Sequence, residues 1–137
     1  MLGLWDTYRI KYSWRPAFEL PKGSRVEGID LKMYNGETAF VWGEELATNA
    51  YQKRALTKRI ELMWSDENGK DFGADIDFDE AEIFNAYKQI YHNDKEQDGE
   101  LVFKYNDNRS SLILFLRNKT EEIELRKCKV GIFERTK

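Results

Sequence analysis

Hydrophobic and polar positions alternate with a period of two along most of this chain, which is the signature of half-buried strands. From Thr7 to Trp14, Tyr8, Ile10, Tyr12 and Trp14 share one face while Arg9 and Lys11 take the other. Pro16 is expected to end that strand, because proline cannot donate to a ladder. Arg25–Tyr34 reads as a second strand. Its apolar phase breaks at Gly28, between Val26 and the set Ile29, Leu31 and Met33, which predicts a bulge. Asn35-Gly36 follows as a tight-turn signal with positive φ expected at both residues, and Thr38–Trp42 pairs back. Gly43–Arg54 is either a loop or one short helix.

Leu56–Ser65 alternates again, with Leu56, Ile60, Leu62 and Trp64 inward. Lys58 falls in that apolar register, so the strand proper is expected after it. Asn68-Gly69 supplies a second hairpin signal. In Lys70–Phe78 the residues Phe72, Ala74, Ile76 and Phe78 point inward and Asp71, Asp75 and Asp77 outward. At Asp79 the period changes to that of a helix. Ile83, Phe84, Tyr87, Ile90 and Tyr91 recur at helical spacing, Asp79 suits the N-cap with Glu82 three residues on, and Glu80 and Glu82 favour the positive end of the helix dipole. His92–Gly99 is a polar loop. Leu101, Phe103 and Tyr105 form another strand, Asn106–Arg109 turns, Leu112–Leu116 is a central strand, and Glu122–Phe133 is the last one. These elements predict an α+β, mostly β domain over residues 1–137. About eight antiparallel strands curl into a sandwich or open barrel, with one α-helix over 79–91.

Charge sharpens this picture. Between Glu61 and Glu100 there are 13 acidic and 3 basic residues, although the whole chain carries only −3. Such segregation suits recognition of a charged partner. The 137 residues suffice for one core, and a single cysteine, Cys128, cannot form an internal disulfide or a zinc site alone. No run of 18 apolar residues exists for a membrane-spanning helix, and no secretory signal is present. The expected location is therefore cytoplasmic, or periplasmic or envelope-anchored if a signal peptide has been removed.

No catalytic, cofactor or metal constellation can be drawn. Asp75, Asp77 and Asp79 lie two apart, but the EF-hand pattern fails because its glycine and final glutamate positions are Glu80 and Ala86. His92, the only histidine, has no partnered nucleophile. Cys128 sits between Lys127 and Lys129 but alternates with Val130 and Ile132, as a packed strand residue does. The basic pairs Lys53-Arg54 and Lys58-Arg59, and the C-terminal Arg126, Lys127, Lys129, Arg135 and Lys137, belong to a chain whose isoelectric point is about 5.3. That acidic balance argues against nucleic acid as the partner.

The succession Ser13-Trp14, Leu20-Pro21-Lys22, Asn35-Gly36 and Lys58-Arg59-Ile60-Glu61-Leu62-Met63-Trp64 comes before a hairpin, an acidic-aromatic strand, a helix and a strand–turn–strand end. This order, over residues 13–133, resembles a family of small bacterial envelope lipoproteins that share a domain of unknown function. The chain departs from that family in lacking a lipobox cysteine and in carrying Arg-Asn where the family is glycine-rich. The resemblance implies a β-rich fold and no activity.

The expected function is that of a non-enzymatic binding protein, of the immunity or inhibitor type found in bacteria and phages. It would recognise a protein partner through Asp71, Asp75, Asp77, Asp79, Glu80 and Glu82. The competing expectation is a small-ligand barrel or small hydrolase whose pocket is walled by Trp14, Trp42, Trp64 and Tyr87, with His92 at its mouth.

Overall fold

A computed structural model of the chain describes residues 10–42, 51–91, 98–105 and 111–133. The described residues form ten strands and one helix in the order β1 (Lys11–Glu19), β2 (Arg25–Met33), β3 (Thr38–Trp42), β4 (Gln52–Ala55), β5 (Thr57–Ser65), β6 (Asp71–Asp77), α1 (Glu80–Tyr91), β7 (Asp98–Lys104), β8 (Ser111–Arg117), β9 (Glu122–Lys129) and β10 (Gly131–Phe133). Two five-stranded sheets result, ordered β4-β1-β7-β8-β9 and β10-β6-β5-β2-β3. Over the described residues the fold is thus the expected mostly β sandwich with a helix, and no barrel closes.

The inward residues of the two sheets meet in one apolar cluster. It joins Trp14, Leu101, Phe103, Leu112, Leu114 and Leu116 of the first sheet to Ile29, Leu31, Ile60, Leu62, Trp64 and Ile76 of the second. Ile83, Tyr87, Ile90 and Tyr91 of α1 complete it. Their helical spacing puts them on one stripe, and α1 packs against β8 and β9. Tyr87 and Tyr91 also reach the Tyr12 ring at 4.7 and 4.9 Å. Asp79 caps the helix as expected, its Oδ2 accepting the Glu82 N–H at 3.1 Å. Asn118 Nδ2 donates to the Ile90 carbonyl near the other end at 2.8 Å.

Several strand limits differ from expectation for physical reasons. Pro16 lies inside β1 instead of ending it. The β4 partner stops at Trp14↔Gln52, so among the described residues Pro16 lies in a stretch of β1 without a strand on that side, where proline is tolerated. Beyond that point β1 is held by β7 in parallel, Ser13↔Asp98 through Glu19↔Lys104, the one departure from the expected antiparallel pairing. The segment Thr7–Arg9 lies outside the described residues. Lys58 belongs to β5, but the register slips between Lys32 and Met33, and this bulge turns Lys58 out to solvent. The bulge expected at Gly28 is present as a slip between Val26 and Gly28. The expected last strand is two. β9 edges the first sheet, the chain crosses at Val130, and β10 pairs with β6 in the second. The end of the ambiguous Gly43–Arg54 segment, from Gln52 on, belongs to strand β4, and its residues 43–50 lie outside the described residues.

Candidate functional site: an acid-rimmed groove between the helix and an edge strand

The helix period that buries Ile83 and Ala86 also sets Asp79, Glu82, Asn85 and Gln89 along the neighbouring, more exposed stripe. Opposite that stripe runs β9, the edge of the first sheet, whose Ile123 and Leu125 are only half-buried. Between α1 and β9 lies an open groove of about 470 Å³. It is lined by the apolar residues Phe78, Ile83, Ala86, Ile123 and Leu125 and by the acidic residues Asp79, Glu82 and Glu124. The register of β9 slips between Leu114 and Phe115, so that Arg126 lies opposite Leu114 and its Nη1 comes within 3.8 Å of Glu82 Oε2. This exposed ion pair ties the strand to the helix loosely.

The six residues of the expected acidic face divide between two places. Asp79 and Glu82 line the groove, and Glu80 is half-buried beside them in the first helical turn. Asp71, Asp75 and Asp77 project from the outer face of the second sheet. There Arg59 on β5 sits opposite Asp77 and binds it with Nη1 at 3.0 Å from both carboxylate oxygens. The same guanidinium lies 3.3 Å from Asp75 Oδ2 and from Glu61 Oε1. One arginine therefore gathers three carboxylates, and the acidic strand is in good part internally compensated. Asp30, Glu61 and Asp75 align across β2, β5 and β6, a row that the hairpin registers create and that spacing along one strand does not show.

The aromatic residues of the competing pocket are core residues. Trp14, Trp64 and Tyr87 are fully buried, Trp64 stacking on Phe72 at 5.5 Å and Tyr87 against Tyr12. None of them borders the groove. The Trp42 side chain and His92 lie outside the described residues. Cys128 is half-buried and donates to the Leu112 carbonyl at 3.6 Å. Burial pushes its thiol up to about 11, with Arg126 opposing the shift. A thiol held protonated is a packing group rather than a nucleophile at neutral pH. The basic pairs are dispersed: Arg54 is buried, Arg59 serves the acids, and Lys58 is exposed by itself at the bulge. Among the described residues no three acidic, histidine or cysteine side chains are placed to hold a metal ion, and no helix is long and apolar enough to cross a membrane.

The sequence reading missed Glu124, Ile123 and Leu125 as groove residues. Their alternation in β9 shows a strand with one apolar face, but which element lies opposite is decided by the fold. No family model matches the chain, and no curated protein or solved structure matches it either.

Proposed function

We propose that this protein is a non-enzymatic binding module that captures a protein partner by an apolar segment flanked by basic residues, seated in the groove between α1 and β9. The observation that carries this reading is the composition of that groove: five apolar residues lining it together with three acidic ones, Asp79, Glu82 and Glu124. Large apolar anchors supply most of the affinity at such sites, and complementary charge orients and speeds the encounter. The strand acids Asp71, Asp75 and Asp77 play the lesser part, because Arg59 already engages two of them. An immunity or inhibitor role fits this reading, since such proteins act by covering a partner's surface.

The test is selection from a displayed peptide library with the wild type and with the double variant Glu82→Lys/Glu124→Lys. The wild type is expected to enrich peptides with Lys or Arg on either side of a Leu, Phe or Trp. The charge-reversed variant should turn that preference toward acidic flanks. Identical enrichment by both proteins would remove the groove from the binding surface.

A further inference from the structure

β9 is the last strand of its sheet, and its ladder with β8 occupies only one of its two edges. Among the described residues no strand pairs with the other edge. The hairpin leading into β9 fixes which backbone groups point there. Asn118 N–H donates to the Glu121 carbonyl at 3.0 Å, so these two residues face each other through their hydrogen-bonding groups. Opposed residues of an antiparallel ladder alternate between hydrogen-bonded and non-hydrogen-bonded pairs. The register runs on without a slip through Arg117↔Glu122, Leu116↔Ile123 and Phe115↔Glu124. Ile123 therefore turns its N–H and C=O to β8, while Glu122 and Glu124 turn theirs to the open edge.

The groove lies along that edge. Ile123, Glu124 and Leu125 line it, and no residue of β8 does. Successive strand residues point to opposite faces of a sheet. Ile123 stands across from the buried Leu116 and Glu124 across from the half-buried Phe115. A hollow that touches three consecutive residues follows the strand's edge instead of lying on one face, and α1 forms its far wall. Open edges are commonly guarded by bulges and lysines. Here the slip between Leu114 and Phe115 leaves Leu125 out of the register, and Arg126, Lys127 and Lys129 follow it. The guarded half of the edge is thus the C-terminal one. The half at the groove carries Glu122 and Glu124, and no lysine or arginine is among the described residues lining the groove.

We infer that the partner's segment enters this groove as an extended strand added to the edge of β9, its backbone paired with the outward N–H and C=O groups of Glu122 and Glu124. Alternate apolar side chains of the segment lie against Ile83, Ala86 and Ile123, and its lysines or arginines meet Asp79, Glu82 and Glu124. Three residues of strand span about 10 Å, so the groove takes a short extended segment. This inference rests on the groove being the partner-binding surface, and adds the conformation of the bound segment and the backbone atoms that hold it.

The probe is the acetylated, amidated peptide Lys-Thr-Leu-Thr-Leu-Thr-Lys, titrated into the full chain. Two further forms carry N-methyl groups on both leucines or on two of the threonines. In a strand these two sets of N–H groups point to opposite sides. One form should therefore lose about tenfold or more in affinity while the other stays within about twofold. Amide exchange followed by NMR should find Glu122 and Glu124 fast in the free protein and slowed in the complex, with Ile123 slow in both. Glu82→Lys/Glu124→Lys should weaken the unmodified probe. Equal losses in the two methylated forms, with sensitivity to that charge reversal kept, overturn the strand mode and leave the groove as the binding surface. Insensitivity to the charge reversal removes the groove itself. Slow exchange of Glu122 and Glu124 before peptide is added also overturns the proposal. It marks a second copy on the edge if it grows with protein concentration, and another segment of the same chain if it does not. No saturable binding up to millimolar peptide overturns it as well, and the display selection then judges the groove separately.

Discussion

Gly36 and Gly69 have φ values of 90° and 80°, in the left-handed region that costs any residue with a Cβ. Each ends a three-residue loop. Gly36 N–H donates to the Met33 carbonyl at 3.1 Å while Met33 N–H donates to Glu37 at 2.9 Å, and Asp66, Gly69 and Lys70 repeat the pattern. The expected two-residue turns are therefore replaced by three-residue loops with a left-handed glycine at the third position. The asparagine of the first turn instead accepts the Glu37 N–H on its Oδ1 at 2.9 Å, and Asp66 Oδ1 does the same for Asn68 and Lys70. No atom lies within 4 Å of a Cβ built at Gly36 or Gly69, so a substitution there meets strain and no clash. Gly36→Val and Gly69→Val should each cost about 1–2 kcal/mol from that strain, read as a lower urea midpoint at unchanged m-value. Gly99 is required for a different reason. A Cβ there would meet the Tyr91 hydroxyl at 2.6 Å, and that hydroxyl holds the Ser13 carbonyl at 2.6 Å. The first requirement was legible as Asn-Gly dipeptides; the second is a long-range approach with no local trace.

At the scale of elements, the parallel β1–β7 pair sets Arg15 beside Glu100, and the β7–β8 ladder sets Glu100 beside Arg117. Glu100 thus receives Arg15 Nε at 3.1 Å on one oxygen and Arg117 Nε at 3.0 Å on the other. Burial works against its charge, but the hydrogen bonds and charges of Arg117 and Arg15 outweigh it and hold the carboxyl below its ordinary value. A carboxyl lowered on folding stabilises the protein fully above its unfolded pKa of about 4.3, and that contribution fades as pH falls through the lower folded value. After allowance for solvent screening, Glu100→Gln should cost about 1 kcal/mol at pH 7. The difference from wild type should shrink toward zero in denaturant titrations carried below pH 4, and a constant difference across pH would contradict the clasp. Neither neighbour of Glu100 could be named from the chain. Alternation showed that β1, β7 and β8 are strands and which residues face inward, because burial acts residue by residue. Pairing partners 85 residues apart depend on how the sheets assemble. Lys58 shows the same boundary. Its polar side chain in an apolar phase was visible, but the bulge that resolves it exists only against β2.

Across the whole molecule, the chain passes between the two sheets repeatedly, and two of these crossings take a single residue each. Leu56 carries the chain from β4 to β5, its carbonyl accepting the Tyr34 N–H at 2.8 Å, and Val130 carries it from β9 to β10. The Tyr34 hydroxyl in turn donates to the Phe78 carbonyl at 2.6 Å, fixing the entry to α1, whose exposed stripe walls the groove. The expected strand alternation and the helix were enough to foresee a sandwich, and the helix start placed Asp79 and Glu82 together; the β9 wall opposite them could not be read from the chain, since it follows from how the strands are connected. Because Trp14 and Leu101 of one sheet and Leu31 and Leu62 of the other lie in a single buried cluster, neither sheet can open and leave the other's apolar face covered. Exposing such a face costs far more than the 5–15 kcal/mol by which a domain of this kind is stable. Hydrogen exchange should therefore give the slowest amides of β2 and β5 the same opening free energy as those of β7 and β8, equal to the global value from denaturant unfolding. Two separate plateaus, one for each sheet, would show that the sandwich opens in halves and that the shared core does not make it cooperative.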